Sequence, residues 1–252
     1  MTLAAPSRVA TRARMPLWLG WGLALAVALG FCALGRWQLL RMHEKQALLA
    51  QAAHVREHPQ ALADALRMRS PAQLAWVHGS GRFLPGQILL DNQLREGRSG
   101  VKVYQPFLAD GASAPLLVEL GWLPLPPDRT LPQPAPLQGR YALAGLLGPA
   151  PSHGLALGPA LVAAPAPRLW LAMRIEPKAI GEALGRRDIL SQVLRLDPAL
   201  PLGFPRDLDM LPNTLPPERH LGYAVQWFGL ALAVLITAAL LSWRARKGRG
   251  GR

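Results

Sequence analysis

His220 is the residue placed to do the most chemistry. It stands immediately before an uncharged apolar run of twenty-three residues, Leu221 to Trp243, so a helix starting there sets the imidazole at the membrane–water interface. A neutral imidazole at that depth can offer a ring nitrogen to a metal, including a haem iron. Tyr223 and Trp227 follow three and seven residues later, which predicts one shared helix face. That trio has two readings: an aromatic belt anchoring the helix among headgroups, or a ligand site. A haem there would present its propionates to the wet rim, where Arg219 and Arg36 at the outward ends of two apolar runs could meet them.

Other candidates are thinner. His54 and His58 stand four apart on a predicted helix, a spacing that can bring two imidazoles to one metal, but no third ligand is evident nearby and an exposed helix face explains them. His43, His78 and His153 carry no further pattern. Ser80, Ser99, Ser113 and Ser152 sit in Gly- or Ala-rich contexts that read as turns. Asp207 and Asp209 lie two apart in a Pro-rich loop. The chain has no GxSxG elbow, no HExxH and no glycine-rich phosphate loop. Its single cysteine, Cys32, lies inside the first apolar run, so there is no disulfide, no CxxC thiol pair and no CxxCH haem-attachment site. The six methionines are scattered, which argues against a Cu(I) chaperone. These absences predict a protein that is not an enzyme.

The elements that must position His220 are the two apolar runs. Leu17 to Leu34 carries no charge over eighteen positions, and both runs are long enough to span a bilayer. Arg8, Arg12 and Arg14 precede the first, while Arg244, Arg246, Lys247, Arg249 and Arg252 follow the second, so the positive-inside rule predicts cytoplasmic termini. The first run is longer than a signal-peptide core and continues in helix-compatible fashion, which predicts a retained anchor. The resulting organisation is a cytoplasmic basic tail (1–16), a transmembrane helix (17–35), a juxtamembrane helical segment (36–70), an exported, periplasmic β-rich domain (71–219), a second transmembrane helix (220–243) and a second basic tail (244–252).

The formal net charge of +13 is concentrated in the tails. They hold eight basic residues and no acidic ones, and the twenty remaining basic residues against fifteen acidic ones leave the middle at +5. That spread predicts contact with anionic lipid and no nucleic-acid partner. Gly22, Ala26 and Gly30, and Gly229, Ala233 and Thr237, form small-xxx-small stripes along which the two spans could pack.

Between the spans, Trp37 to Leu49 is rich in helix formers without Gly or Pro, so the first helix runs on until Pro59 breaks it. A short helix over 61–68 follows. Short apolar runs with turn signals then predict strands at 75–78, 88–90, 101–104, 116–122, 141–147, 169–175 and 189–196, with Val118, Leu120 and Trp122 on one face. Pro124 to Pro136 holds six prolines and reads as an extended surface loop. Pro177 to Leu184 reads as a helix stopped by Gly185. The fold class is therefore α+β: two terminal transmembrane helices flanking one antiparallel β-rich sheet or partly open barrel with one or two helices.

Several of these residues resemble the SURF1 (Surfeit locus protein 1, Shy1) family. Leu34-Gly35-Arg36-Trp37-Gln38-Leu39-Leu40-Arg41 with Glu44-Lys45 is similar to its signature after the first span. Gly81-Arg82-Phe83, Leu117-Val118 and Gly121-Trp122-Leu123-Pro124 match within the exported segment, and His220-Leu221-Gly222-Tyr223-Ala224-Val225-Gln226-Trp227-Phe228 resembles the entry to its second span. The family's usual Asn-Arg before Gly-Trp is here Glu119-Leu120, which removes a cation from that strand.

The resemblance implies a chaperone for assembly of haem-copper cytochrome c oxidase, assisting haem a insertion into subunit I at the outer face of the membrane. It implies haem a as a transient cofactor with His220 as axial ligand. The implied partners are oxidase subunit I, other oxidase assembly factors and the lipid bilayer. The alternative is a membrane scaffold for the same partners that touches no haem. High Ala, Pro and Arg content with a short N-terminal tail suggests a bacterial inner-membrane protein.

Overall fold

A computed structural model describes residues 16–67, 73–151, 158–186, 188–208 and 215–247. The chain divides into two compact units, residues 1–46 with 215–252, and residues 47–214.

The first unit is an antiparallel helical hairpin. Helix α1 (Leu17–Arg56) and helix α4 (Pro217–Lys247) are 40 and 31 residues long. α1 runs far beyond residue 35 because nothing between Arg36 and Arg56 breaks a helix; the next proline is Pro59. Trp21 Nε1 donates to Ser242 Oγ at 2.8 Å, the Phe31 and Trp227 rings lie 5.5 Å apart, and Lys45 Nζ donates to the Leu215 carbonyl. These pairs share one antiparallel register.

Within this unit, the shielded positions of α1 include Trp21, Ala24, Ala28, Phe31, Gly35, Gln38, Met42 and Lys45, in alternating steps of three and four. On the outward half of α4, the shielded Pro217, His220, Ala224, Trp227 and Ala231 step likewise. This is a heptad seam. The small-xxx-small stripes are not the interface, since a Cβ added at Gly22, Gly30 or Gly229 would meet nothing within 4 Å. A stripe repeating every four residues drifts off a seam that advances by 3.5. Gly35 does lie in the seam, where an added Cβ would come 2.8 Å from Phe228 Cζ. Both helices are long and apolar enough to cross a membrane, and only 11% of each apolar window is buried, which distinguishes them from core helices of a soluble domain.

The second unit is a small mixed barrel. All seven predicted strands form, as β2 (Ala75–Phe83), β3 (Gln87–Arg95), β4 (Arg98–Ala109), β5 (Leu116–Pro124), β6 (Arg140–Pro149), β8 (Leu169–Ala172) and β9 (Gln192–Leu196). Two very short strands, β1 (Gln60–Ala61) and β7 (Leu161–Ala163), are additional, the latter inside an Ala- and Pro-rich stretch without a readable period. Helix α2 (Leu62–Arg67) precedes β2, and α3 (Pro177–Ala183) precedes β9.

The sheet order is β1-β2-β6-β9-β5-β4-β3-β8-β7, and a further β2–β4 pairing closes β2, β6, β9, β5 and β4 into a ring. β4 makes closure possible because it is long: its first half pairs with β3, while Phe107 to Ala109 turn to pair with β2. The expected antiparallel sheet is corrected in one respect, since β1–β2, β3–β8 and β5–β9 pair in parallel. Long connections allow that return direction; a hairpin turn does not.

Val77, Phe83, Val103, Phe107, Val118, Leu120, Leu143 and Leu194 belong to the main core. Burying each such side chain contributes roughly 1.5–3 kcal/mol. On the other face, Ile180 of α3 packs with Ile88, Leu90, Leu117 and Val193. The Pro-rich segment stays extended, as expected. Gln105, fully buried, holds it by accepting from Leu137 N at 3.0 Å and donating to the Leu137 carbonyl at 2.8 Å.

Trp122 does not share the face of Val118 and Leu120. The β4–β5 register shifts between Val103 and Tyr104, and opposite it Gly121 adopts φ +125°. This bulge turns Trp122 to the side of Glu119, beside its cross-strand partner Lys102. Gly121 is required twice, by its backbone angle and because an added Cβ would come 2.4 Å from the Phe204 carbonyl oxygen.

Candidate functional site

α4 begins at Pro217, a favourable residue for a first helical position, so the helix opens three residues ahead of the expected 220 and His220 lies in its first turn. The imidazole faces the seam and is 7% exposed. Its Nδ1 lies 2.6 Å from Gln38 Oε1. An amide oxygen only accepts, so Nδ1 carries the proton and Nε2 holds the lone pair. Nε2 is, among the described residues, the single buried side-chain polar atom without a hydrogen-bond partner. Arg41 and Lys45 lie within electrostatic reach of the ring, and Arg41 also pairs with Glu44 at 2.9 Å.

The predicted face is only partly assembled around this histidine. Trp227 is half-buried against Phe31, whereas Tyr223 is 36% exposed and turned out of the seam. Arg36 and Arg219 are both exposed.

The remaining candidates scatter. Ser80 and Ser99 lie within β2 and β4 instead of in turns, and Asp207 pairs with Arg95 at 3.5 Å. Ser152, His153 and Asp209 fall outside the described residues. His54 and His58 gain a third polar neighbour that helical spacing alone did not indicate: Glu57, which the turn after α1 folds back toward them.

A buried polar cluster escaped sequence reasoning altogether. Glu119 on β5 accepts from the Tyr104 hydroxyl at 2.9 Å and from Lys102 Nζ at 2.8 Å, with Arg195 Nε 3.9 Å away. Strand register brings these four together from β4, β5 and β9. The cation that the sequence suggested was lost from β5 is thus matched by two on neighbouring strands. Burial is the main cause, with the adjacent Glu119 charge second, that pushes the Tyr104 pKa well above 10.0. Arg206 packs nearby and donates to the carbonyls of Asp197, Leu200, Leu202 and Phe204, lashing the loop after β9 into one knot.

A long two-helix apolar hairpin and a small mixed barrel define the class: a membrane-anchored barrel protein. Comparison with protein families finds the SURF1 family matching residues 25–232, so the chain belongs to the SURF1 family. That family is generally associated with cytochrome oxidase assembly and is not known for enzymes. No match is found among curated proteins.

Proposed function

We propose that this chain is a bacterial inner-membrane chaperone for cytochrome c oxidase that receives haem a at the outward end of its helical hairpin and presents it to subunit I. Both termini are cytoplasmic in this reading, the barrel is periplasmic, and Arg244, Arg246 and Lys247 hold the α4 end on the inner side. The observation that carries it is the buried Nε2 of His220, a lone pair without a partner while Nδ1 is held by Gln38. Metal-binding histidines are typically oriented by this kind of second hydrogen bond.

The residues present fit the group. His220 would supply the axial nitrogen, and the exposed Arg36 and Arg219 would meet the propionates. When bound, haem a would supply an iron able to accept an imidazole nitrogen. The chain's own part is to bind and shield. Because Nε2 is buried, α1 and α4 must part locally around Gln38 and His220 before a macrocycle can reach it. The same shielding supports the second reading, a scaffold for oxidase subunits that never touches haem.

The test is a strain lacking the gene, complemented with wild type or His220→Ala. The haem-carrier reading predicts that the variant restores neither oxidase activity nor haem a in subunit I to wild-type levels. Full restoration leaves only the scaffold reading.

A further inference from the structure

His54 lies in the last turn of α1, and Glu57 and His58 form the turn that leads to Pro59 and β1. Their potential ligand atoms, imidazole nitrogens and a carboxylate oxygen, all lie within 4.8 Å of one another. The two ring centroids are 4.8 Å apart with the planes tilted by 45°, so the rings converge without stacking flat. The turn is closed by backbone bonds from Glu57 N to the His54 carbonyl and from His58 N to the Val55 carbonyl, both 3.2 Å.

Two details separate this group from an ordinary pair of surface histidines. His58 Nδ1 lies 3.2 Å from the His54 carbonyl oxygen. A carbonyl only accepts, so Nδ1 carries the proton and Nε2 is left with its lone pair, the arrangement that orients metal-binding imidazoles. The base beneath is also fixed. Arg56 stacks over Trp76 at 5.0 Å, while Leu48, Ala52 and Val55 pack on Leu74, Trp76 and Leu146.

The geometry points to a divalent transition-metal site formed by His54, Glu57 and His58 where α1 enters the barrel. Two imidazoles and one carboxylate suit Zn²⁺ or Co²⁺, in contrast to the all-oxygen sets of Mg²⁺ and Ca²⁺ or the thiolates favoured by Cu(I). Three protein ligands leave a position open for water or an incoming group. All three side chains are exposed, so small side-chain adjustments can bring ligand atoms that already lie within 4.8 Å of one another to roughly 2.0–2.2 Å from a Zn²⁺ ion. A bound ion would staple the last turn of α1 to the turn entering β1. This inference is independent of the haem reading.

The experiment uses the full chain in detergent, purified through a tag without histidine and titrated with Zn²⁺ by calorimetry and with Co²⁺ by visible absorption. The site predicts one ion per chain, with affinity falling at least about tenfold in each of His54→Gln, Glu57→Gln and His58→Gln. Zn²⁺ should raise the melting temperature of wild type and not of the variants, whose metal-free melting is unchanged. Equal binding by wild type and the His54→Gln/His58→Gln double variant, or no effect of Glu57→Gln, overturns the three-ligand site.

Discussion

His220 Nδ1 lies 2.6 Å from Gln38 Oε1, a contact between residues 182 apart in sequence that joins the two apolar helices near the first turn of α4. It sets which nitrogen of the imidazole keeps its lone pair. Gln38→Leu removes the acceptor and leaves Nδ1 unpartnered. Nitrogen NMR of histidine-labelled protein should report the Nδ1–H tautomer in wild type and a tautomer mixture in the variant. An Nε2–H tautomer in wild type contradicts the assignment.

Glu119 faces Lys102, Arg195 and the Tyr104 hydroxyl at once. Its side chain is 3% exposed, and those of the two cations 14% and 12%. Glu119→Gln takes from Lys102 the carboxylate it pairs with at 2.8 Å and should cost about 3–5 kcal/mol, measured as a lowered melting midpoint. Adding Lys102→Met to that variant should recover part of the loss; a further fall would show that Lys102 stabilises the barrel independently of Glu119.

Tyr104 gives the barrel an alkaline limit. Its folded pKa is raised well above 10.0 by burial and then by Glu119. Above pH 10 the unfolded chain therefore releases a proton that the folded chain keeps, and stability falls with rising pH. The contribution is complete below the unfolded-state value and is lost between that value and the folded one. Tyr104→Phe should flatten this part of the melting curve against pH, and identical alkaline slopes would contradict the assignment.

Gly121→Ala should disrupt the β4–β5 bulge. The substitution meets φ +125° and a carbonyl oxygen at 2.4 Å, and backbone cannot swing aside as a side-chain tip can. A loss of more than about 2 kcal/mol is expected, from backbone strain together with overpacking. A near-neutral melting change would mean that the Phe204–Pro205 backbone is free to withdraw.

The hairpin and the strands were legible because both rest on periodicity. Uncharged runs marked α1 and α4, and Glu96-Gly97 marked the turn between β3 and β4, whereas Asp91-Asn92, which look like a strand end, form a bulge inside β3. What could not be read depended on register. Lys102, Glu119 and Arg195 meet only because three strands pair as they do, and Trp122 changed faces through a bulge that no alternation pattern reveals. At the candidate site, His220 stood out by position, but its partner Gln38 is fixed by the heptad seam. That seam was readable in principle: Trp21, Ala24, Ala28, Phe31, Gly35 and Gln38 already step by three and four. Glu57 was adjacent to His58 all along, and it joins the histidines only because α1 ends at Arg56 and the next residues turn back.

The most direct test of the central claim is the visible absorption spectrum of full-length protein purified in detergent from cells making haem a, comparing wild type with His220→Ala. Haem a should be bound to wild type and lost, or spectrally altered, in the variant. A haem-free wild type, or a variant spectrum identical to wild type, contradicts it.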